Sequence, residues 1–145
     1  MSSLSTHFTS EEFTTTQQRG LDNTPNPEQL SNLTHTAWQM EIVRHLLGDV
    51  ALHINSGFRS KAVNSAIGGS KTSDHMLGHA VDFICPSFGT PIDIAKKIAN
   101  SGLKFDQLIY EHTWIHISFN PKLRGQVMTA HFVPNQATTY TIGIE

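Results

Sequence analysis

A single carboxylate lies inside an apolar segment of this chain, and it constrains the fold more than any other residue. The segment His79–Cys85 reads His-Ala-Val-Asp-Phe-Ile-Cys, and its alternation predicts a β-strand with Ala80, Asp82 and Ile84 on one face. A buried carboxylate without a partner costs several kcal/mol, so a cation must approach this strand. Arg59, which follows the preceding predicted strand, and a metal ion are the two candidates.

Two histidines could close on the same ion as Asp82. His75 precedes Asp82 by seven residues, and Gly78 between them allows a tight turn into the strand. Residues 107–111 and 114–119 predict two strands joined by the two-residue turn His112–Thr113. In such a hairpin Glu111 lies opposite Trp114, which shares a face with His116, so Glu111 and His116 point to the same side.

This pattern predicts one catalytic zinc site. His75, Asp82 and His116 are the expected ligands of one Zn²⁺, and water or substrate takes the fourth position, since catalytic zinc usually has three protein ligands. Glu111 is the expected general base, and Arg59 is expected to bind a substrate carboxylate through its guanidinium.

Several neighbouring residues have supporting or alternative roles in this prediction. Ser73 and Asp74 could orient the ligands, Ser73 and Trp114 are candidate substrate contacts, and Trp114 could equally pack so as to position His116. His79 and His112 remain alternative ligands, because nine histidines make chance pairs common.

Composition limits the class of protein. The 145 residues, 38% hydrophobic and 15% charged, predict one globular domain spanning residues 1–145, and no apolar run approaches the length of about 20 residues that spans a bilayer. The net charge of −2, without a basic run, argues against nucleic acid as a partner. Cys85 is the only cysteine and is expected to be a buried small hydrophobe. We expect a soluble monomer that interacts with neither nucleic acid nor membrane.

The remaining pattern predicts an α+β fold, with helices around a small antiparallel sheet. Asn26 and Gln29 predict the cap of a long helix that ends near Gly48, whose apolar stripe is expected to pack in the core together with Trp38 and Ile42. Shorter helices are predicted near residues 9–13, 60–67 and 90–102, and strands at residues 50–55, 79–85 and 128–133 as well as in the hairpin. Residues 134–145 are ambiguous.

These motifs resemble a known family. The pattern SxHxxGxAxD at residues 73–82, followed by WxH at 114–116, resembles the zinc signature of the M15 peptidases, which include D-Ala-D-Ala carboxypeptidases and phage endolysins. The SGFRS element at 56–60 also matches that family, and residues 8–13 and 22–25 resemble a small branch common in phages and prophages. Several members place the glutamate three residues before the last histidine, where this chain has Thr113; Glu111 lies five residues before His116.

The resemblance implies a fold like that of the hedgehog and DD-peptidase group, and a cell-wall substrate. Peptidoglycan stem peptides would be cut by a D-Ala-D-Ala carboxypeptidase or by an L-Ala-D-Glu type endopeptidase, with Arg59 on a peptide carboxylate and Glu111 as base. The alternative is a zinc-bearing peptidoglycan-binding or phage structural module without turnover. The first residues carry no signal-peptide pattern. We therefore expect synthesis in the host cytoplasm and delivery as a phage lysin or within a virion.

Overall fold

Six strands form one sheet in the computed structural model, which describes residues 2–144. The strands are β1 (His53–Ser56), β2 (Ala80–Ile84), β3 (Gln107–Tyr110), β4 (Ile115–Ser118), β5 (Gln126–His131) and β6 (Thr139–Ile142). Their order across the sheet is β1-β2-β4-β3-β5-β6. The segment 134–145, ambiguous from sequence, therefore contributes the edge strand β6.

Within residues 2–144, four α-helices and one 3₁₀ helix accompany the sheet. They are α1 (Ser10–Thr14), α2 (Pro27–Leu46), α3 (Lys61–Ala66), the 3₁₀ helix (Asp74–Leu77) and α4 (Pro91–Ala99). The predicted capping box of α2 is present, because Asn26 Oδ1 accepts from the Gln29 amide while Gln29 Oε1 accepts from the Asn26 amide. Local side-chain chemistry thus sets the start of the longest helix, as predicted.

The predicted α+β class is confirmed, but the sheet is mixed. Four neighbouring pairs are antiparallel, and β3 pairs with β5 in parallel, with Ile109 opposite Met128. The expectation of an antiparallel sheet is wrong at this pair. The reason is that β5 does not follow β4 as a hairpin: residues 119–125 carry the chain past the start of β3 to its far side, where β5 pairs with it.

One face of the sheet belongs to the hydrophobic core. The side chains of Val81, Phe83 and Ile117 on this face are fully buried, as are Met40 of α2 and Ile98 of α4. Burying such side chains stabilises the fold by about 1.5–3 kcal/mol each. The two longer helices therefore contribute to one core with the sheet, and the opposite sheet face carries Asp82 and His116.

The prediction for the apolar stripe of α2 is wrong in part. Leu33 and Met40 are buried, but Trp38 and Ile42 are 51% and 45% exposed, and Leu30 is 40% exposed. The core covers only one side of this helix, and the three exposed residues lie on its outer side. No helix within residues 2–144 is long and apolar enough to cross a membrane.

Candidate metal centre

The polar sheet face brings three predicted ligands together. Asp82 on β2 pairs directly with His116 on β4, so their side chains share a face. Asp82 Oδ1 lies 3.0 Å from His116 Nδ1 and 3.3 Å from His75 Nε2. One donor atom from each residue lies within 4.8 Å of the other two. Side chains separated by up to 41 positions thus meet at one point.

The backbone holds His75 in the orientation that a metal ligand needs. His75 Nδ1 donates to the carbonyl oxygen of Gly57 over 2.7 Å, which leaves Nε2 facing Asp82. A histidine that ligates through one ring nitrogen usually donates its other N–H to a carbonyl or carboxylate. The SGFRS element therefore contributes a main-chain atom to the site, a contribution that side-chain reasoning from sequence did not predict.

Helix α2 anchors the 3₁₀ helix that carries His75. Three α2 side chains donate to consecutive carbonyl oxygens: Gln29 to Met76, Asn32 to Leu77 and Thr36 to Gly78. Gly78 has a φ of +81°, and a Cβ there would lie 2.7 Å from the Gln29 carbonyl oxygen. Only glycine fits this turn, because both the positive φ and the close approach of α2 exclude a side chain.

The donor set fits one zinc ion. Two imidazoles and a carboxylate are common zinc ligands, and tetrahedral coordination with bonds of about 2.0–2.2 Å places neighbouring donor atoms about 3.3–3.5 Å apart. The distances from Asp82 Oδ1 to the two histidines, 3.0 and 3.3 Å, are close to that spacing. A modest outward adjustment of His116 would complete it. The three residues could therefore hold a metal without rearrangement of the backbone.

Arg59 also contacts the central carboxylate. Its Nη2 donates to Asp82 Oδ2 over 3.2 Å, and its Nε donates to Ser56 Oγ over 3.1 Å. Asp82 thus has Arg59 as the cationic partner that its sequence context required, and its carboxylate also faces the two candidate ligand histidines. Burial opposes its ionisation, but the charge of His75 and the hydrogen bonds from both imidazoles hold the pKa of Asp82 well below its usual range.

A half-buried asparagine fixes the loop that carries Arg59. The side-chain Nδ2 of Asn23 donates to the carbonyl oxygens of Thr14 and Phe58, and its Oδ1 accepts from the backbone amide of Ser60 over 2.7 Å. Ser60 in turn caps α3 through a bond to the Val63 amide. The loop around residues 22–25 therefore has a structural role: it sets where the guanidinium enters the site.

Glu111 and Trp114 form a pair beside the ligands. The Glu111 amide donates to the Trp114 carbonyl oxygen over 3.1 Å, which closes the predicted turn, with His112 at a φ of +66°. The indole Nε1 of Trp114 donates to Glu111 Oε2 over 2.9 Å. Burial, followed by the negative charge of Asp82, raises the pKa of Glu111. Trp114 therefore orients the predicted base directly, in addition to the packing role considered from sequence.

A cleft of about 760 Å³ opens over the three candidate ligands. Arg59, Ser73, Glu111 and Trp114 line it, as the predicted substrate contacts and base require. The cleft is also lined by residues that sequence reasoning missed, among them Asn120, Lys122, Arg124, Met128 and Tyr140. No local motif marks them, because they reach the cleft through the crossover after β4 and through strand pairing.

The other polar candidates have different surroundings. Ser73 Oγ accepts from the His75 backbone amide and so caps the 3₁₀ helix, whereas the Asp74 carboxylate accepts from the side-chain amide of Asn120. Ser73 thus acts on the backbone of a ligand, and Asp74 connects the 3₁₀ helix to the segment after β4. His79 is buried outside the ligand cluster, and burial lowers its pKa. His112 Nε2 lies 2.7 Å from the Ala130 carbonyl oxygen. Neither alternative histidine joins the three ligands within the described residues.

The sequence of this chain is similar to those of known proteins. A stretch of 59 residues is 42% identical to the zinc D-Ala-D-Ala carboxypeptidase of Streptomyces albus G; it covers 41% of this chain and 23% of that protein. The chain thus matches less than a quarter of this relative's length. The sequence pattern of the family described as Peptidase M15 matches residues 6–118, a span that contains all three candidate ligands. The chain therefore belongs to the Peptidase M15 family.

Proposed function

We propose that this protein is a zinc-dependent peptidase that hydrolyses peptide bonds in the stem peptides of bacterial peptidoglycan. The observation that carries the proposal is the placement of Glu111, a carboxylate of raised pKa, in the same cleft as the cluster of His75, Asp82 and His116. A non-catalytic binding module could use a metal site for its structure, but it would have no use for a general base beside that site. The relative from Streptomyces albus G, named for its action on D-Ala-D-Ala, supports the substrate class.

The chemistry needs both a Lewis acid and a base. Zinc held by the three ligands would supply Lewis acidity, which polarises a carbonyl group and makes a water molecule more acidic. Glu111 Oε2 is held by Trp114, so its carboxylate is oriented before substrate arrives. Glu111 takes a proton from the attacking water and delivers it to the leaving amine, as general acid–base catalysis requires.

Arg59 binds and orients the substrate. Its Nε and one terminal nitrogen are engaged by Ser56 and Asp82, which fixes the plane of the guanidinium. Arg59 lines the cleft, so a carboxylate or carbonyl oxygen of the peptide can accept from its remaining donors. A fixed cation loses little conformational entropy when it binds a ligand, so it contributes to substrate orientation at low cost.

Replacement of Glu111 by glutamine tests the proposal. Glu111→Gln removes the base but retains the size of the side chain and an acceptor for Trp114. The rate of muropeptide cleavage should fall by about 10²–10⁴-fold, while bound zinc and thermal stability stay unchanged. The exposed Glu28 of α2 provides the matched control, since Glu28→Gln should leave the rate unaltered. Equal rates for Glu111→Gln and the native chain would exclude Glu111 as the base.

The products of digestion identify the bond that is cut. Peptidoglycan incubated with the protein, with and without a chelator, is analysed by mass spectrometry of its muropeptides. Loss of a terminal D-alanine indicates carboxypeptidase action, and a cut between L-alanine and D-glutamate indicates an endopeptidase, as proposed for a phage or prophage lysin. Binding to peptidoglycan without any product would favour the non-catalytic module instead.

A further inference from the structure

The cleft has an apolar part that the proposed catalytic residues do not use. Ile109, Met128 and Tyr140 all line it, in contrast to the charged and polar residues around the metal ligands. Strand pairing explains why they lie together. His116 pairs with Ile109, and Ile109 pairs with Met128, so these side chains share the sheet face of the metal centre.

Tyr140 comes from the edge strand and stands level with Glu111. Tyr110 pairs with Thr129, so Glu111, which follows Tyr110, lies beside Ala130, which follows Thr129. Ala130 in turn pairs with Tyr140. Partial burial, followed by the negative charges of Glu111 and Asp82, raises the pKa of Tyr140, as expected for a phenol close to both carboxylates. The side chain is 51% exposed, so it can close on a ligand without leaving a hole in the core.

These residues lie largely beyond the part of the chain that defines its family. The family pattern ends at residue 118, whereas β5 and β6 follow it and supply Met128 and Tyr140. We propose that Ile109, Met128 and Tyr140 form an apolar subsite that binds a small aliphatic side chain of the substrate next to the bond being cut. This inference rests on the proposed function.

The chemistry of the surrounding cleft selects that ligand. Arg59 and Glu111 can engage polar main-chain atoms, while the side chains of Ile109 and Met128 offer no partner to a charged group. A methyl or short alkyl group placed on them loses water and contacts the ring of Tyr140. Bulky charged side chains would have to leave water without compensation, so the subsite disfavours them.

Kinetics of single variants test the subsite. Tyr140→Ala should raise KM for the muropeptide that the native chain cuts by about tenfold, with kcat within about threefold, because the ring contributes equally to ground-state and transition-state binding. Tyr140→Phe keeps the ring and should restore KM to within about threefold of the native value. Met128→Ala, a second test that does not alter Tyr140, should raise KM by about threefold. Zinc content and Tm should stay unchanged throughout.

A neighbouring residue provides the control, and a binding measurement separates affinity from turnover. Ile142→Ala alters the same face of the same strand at a residue that is 92% exposed, so KM should not change. Titration of the muropeptide into Glu111→Gln, with and without Tyr140→Ala, should show the same tenfold loss of affinity. Unchanged KM and affinity in Tyr140→Ala and Met128→Ala would overturn the subsite alone. A native chain that cuts no muropeptide would overturn the proposed function as well.

Discussion

Trp114 determines the orientation of Glu111 and affects its ionisation. The indole donates to Glu111 Oε2 over 2.9 Å, whereas burial and the charge of Asp82 both favour the neutral acid. A hydrogen bond to the ionised form lowers a carboxyl pKa, so this bond counteracts the other two influences. Trp114 also packs against Phe132, with ring centroids 6.0 Å apart. The indole N–H and the ring therefore have separable roles.

Replacement of Trp114 by phenylalanine removes the donor and keeps an aromatic ring. Because the ionised form of Glu111 loses a hydrogen bond, its pKa should rise further in Trp114→Phe. A general base works only when ionised, so the acid limb of the profile of kcat/KM against pH should move to higher pH. At neutral pH kcat should fall by about tenfold.

The second tryptophan is the control for this experiment. Trp38 lies on α2, is 51% exposed and does not line the cleft, so Trp38→Phe should leave the pH profile unchanged. A Trp114→Phe variant whose acid limb stays in place, despite lower activity, would mean that the indole contributes packing but does not influence the ionisation of Glu111.

At the scale of elements, one ion pair holds the crossover that makes the sheet mixed. Asp106 is fully buried, and its carboxylate accepts from the Arg124 amide, Nε and Nη2, with the two side-chain bonds at 2.8 Å. The Asp106 carbonyl oxygen accepts from the Gln126 amide. These contacts fix residues 119–125, so that β5 enters the sheet parallel to β3.

Replacement of Asp106 by asparagine should destabilise this crossover. Hydrogen bonds from Arg124, opposed by burial, lower the pKa of Asp106. A group whose pKa is lower in the folded state stabilises the fold above its unfolded pKa, and that contribution disappears as the pH falls through the folded value. Asp106→Asn should therefore lower the free energy of unfolding by about 2 kcal/mol at pH 7, and the difference should shrink below about pH 4.

Urea unfolding of both proteins between pH 7 and pH 3.5 measures this difference, in steps of about half a pH unit across the range where aspartate titrates. Glu28→Gln, on the exposed first turn of α2, serves as the control and should cost no more than about 0.5 kcal/mol. A difference for Asp106→Asn that stays constant over the whole pH range would show that the ion pair does not carry the effect.

How far sequence could predict these elements depends on the range of the interactions. The capping box of Asn26 and Gln29 and the hairpin around His112 were predictable because their partners lie within four residues. The exposure of Trp38 and the parallel entry of β5 were not, because each depends on which segment packs alongside. The polar anchoring of the 3₁₀ helix by α2 escaped prediction for the same reason.

Across the whole molecule, the metal centre and the hydrophobic core occupy opposite faces of one sheet. The candidate ligands come from the 3₁₀ helix, β2 and β4, while the core residues of β2 and β4, such as Phe83 and Ile117, point the other way. Asp82 also has Arg59 as a cationic partner that does not depend on metal. We therefore expect the core to fold without the ion, whose binding would add to the stability of the folded state.

Removal of zinc should consequently lower stability without abolishing the fold. A ligand that binds only the native state raises the free energy of unfolding by about 1.4 kcal/mol for each tenfold excess of its free concentration over its dissociation constant. Protein treated with a chelator should keep its far-UV circular dichroism at 25 °C but show a lower Tm, which rises again with added zinc. Calorimetric scans over a series of free zinc concentrations give this dependence.

Two histidine variants make the zinc experiment specific. His116→Ala removes one ligand, so its Tm should no longer respond to zinc, whatever its own stability. His45→Ala removes a side chain that is 79% exposed and bound to Asp49, and its response should match that of the native chain. Because Asp82 would remain beside Arg59 in His116→Ala, the variant should fold, and any loss of zinc response reflects the site itself. A zinc response retained in His116→Ala would place the ion elsewhere in the molecule.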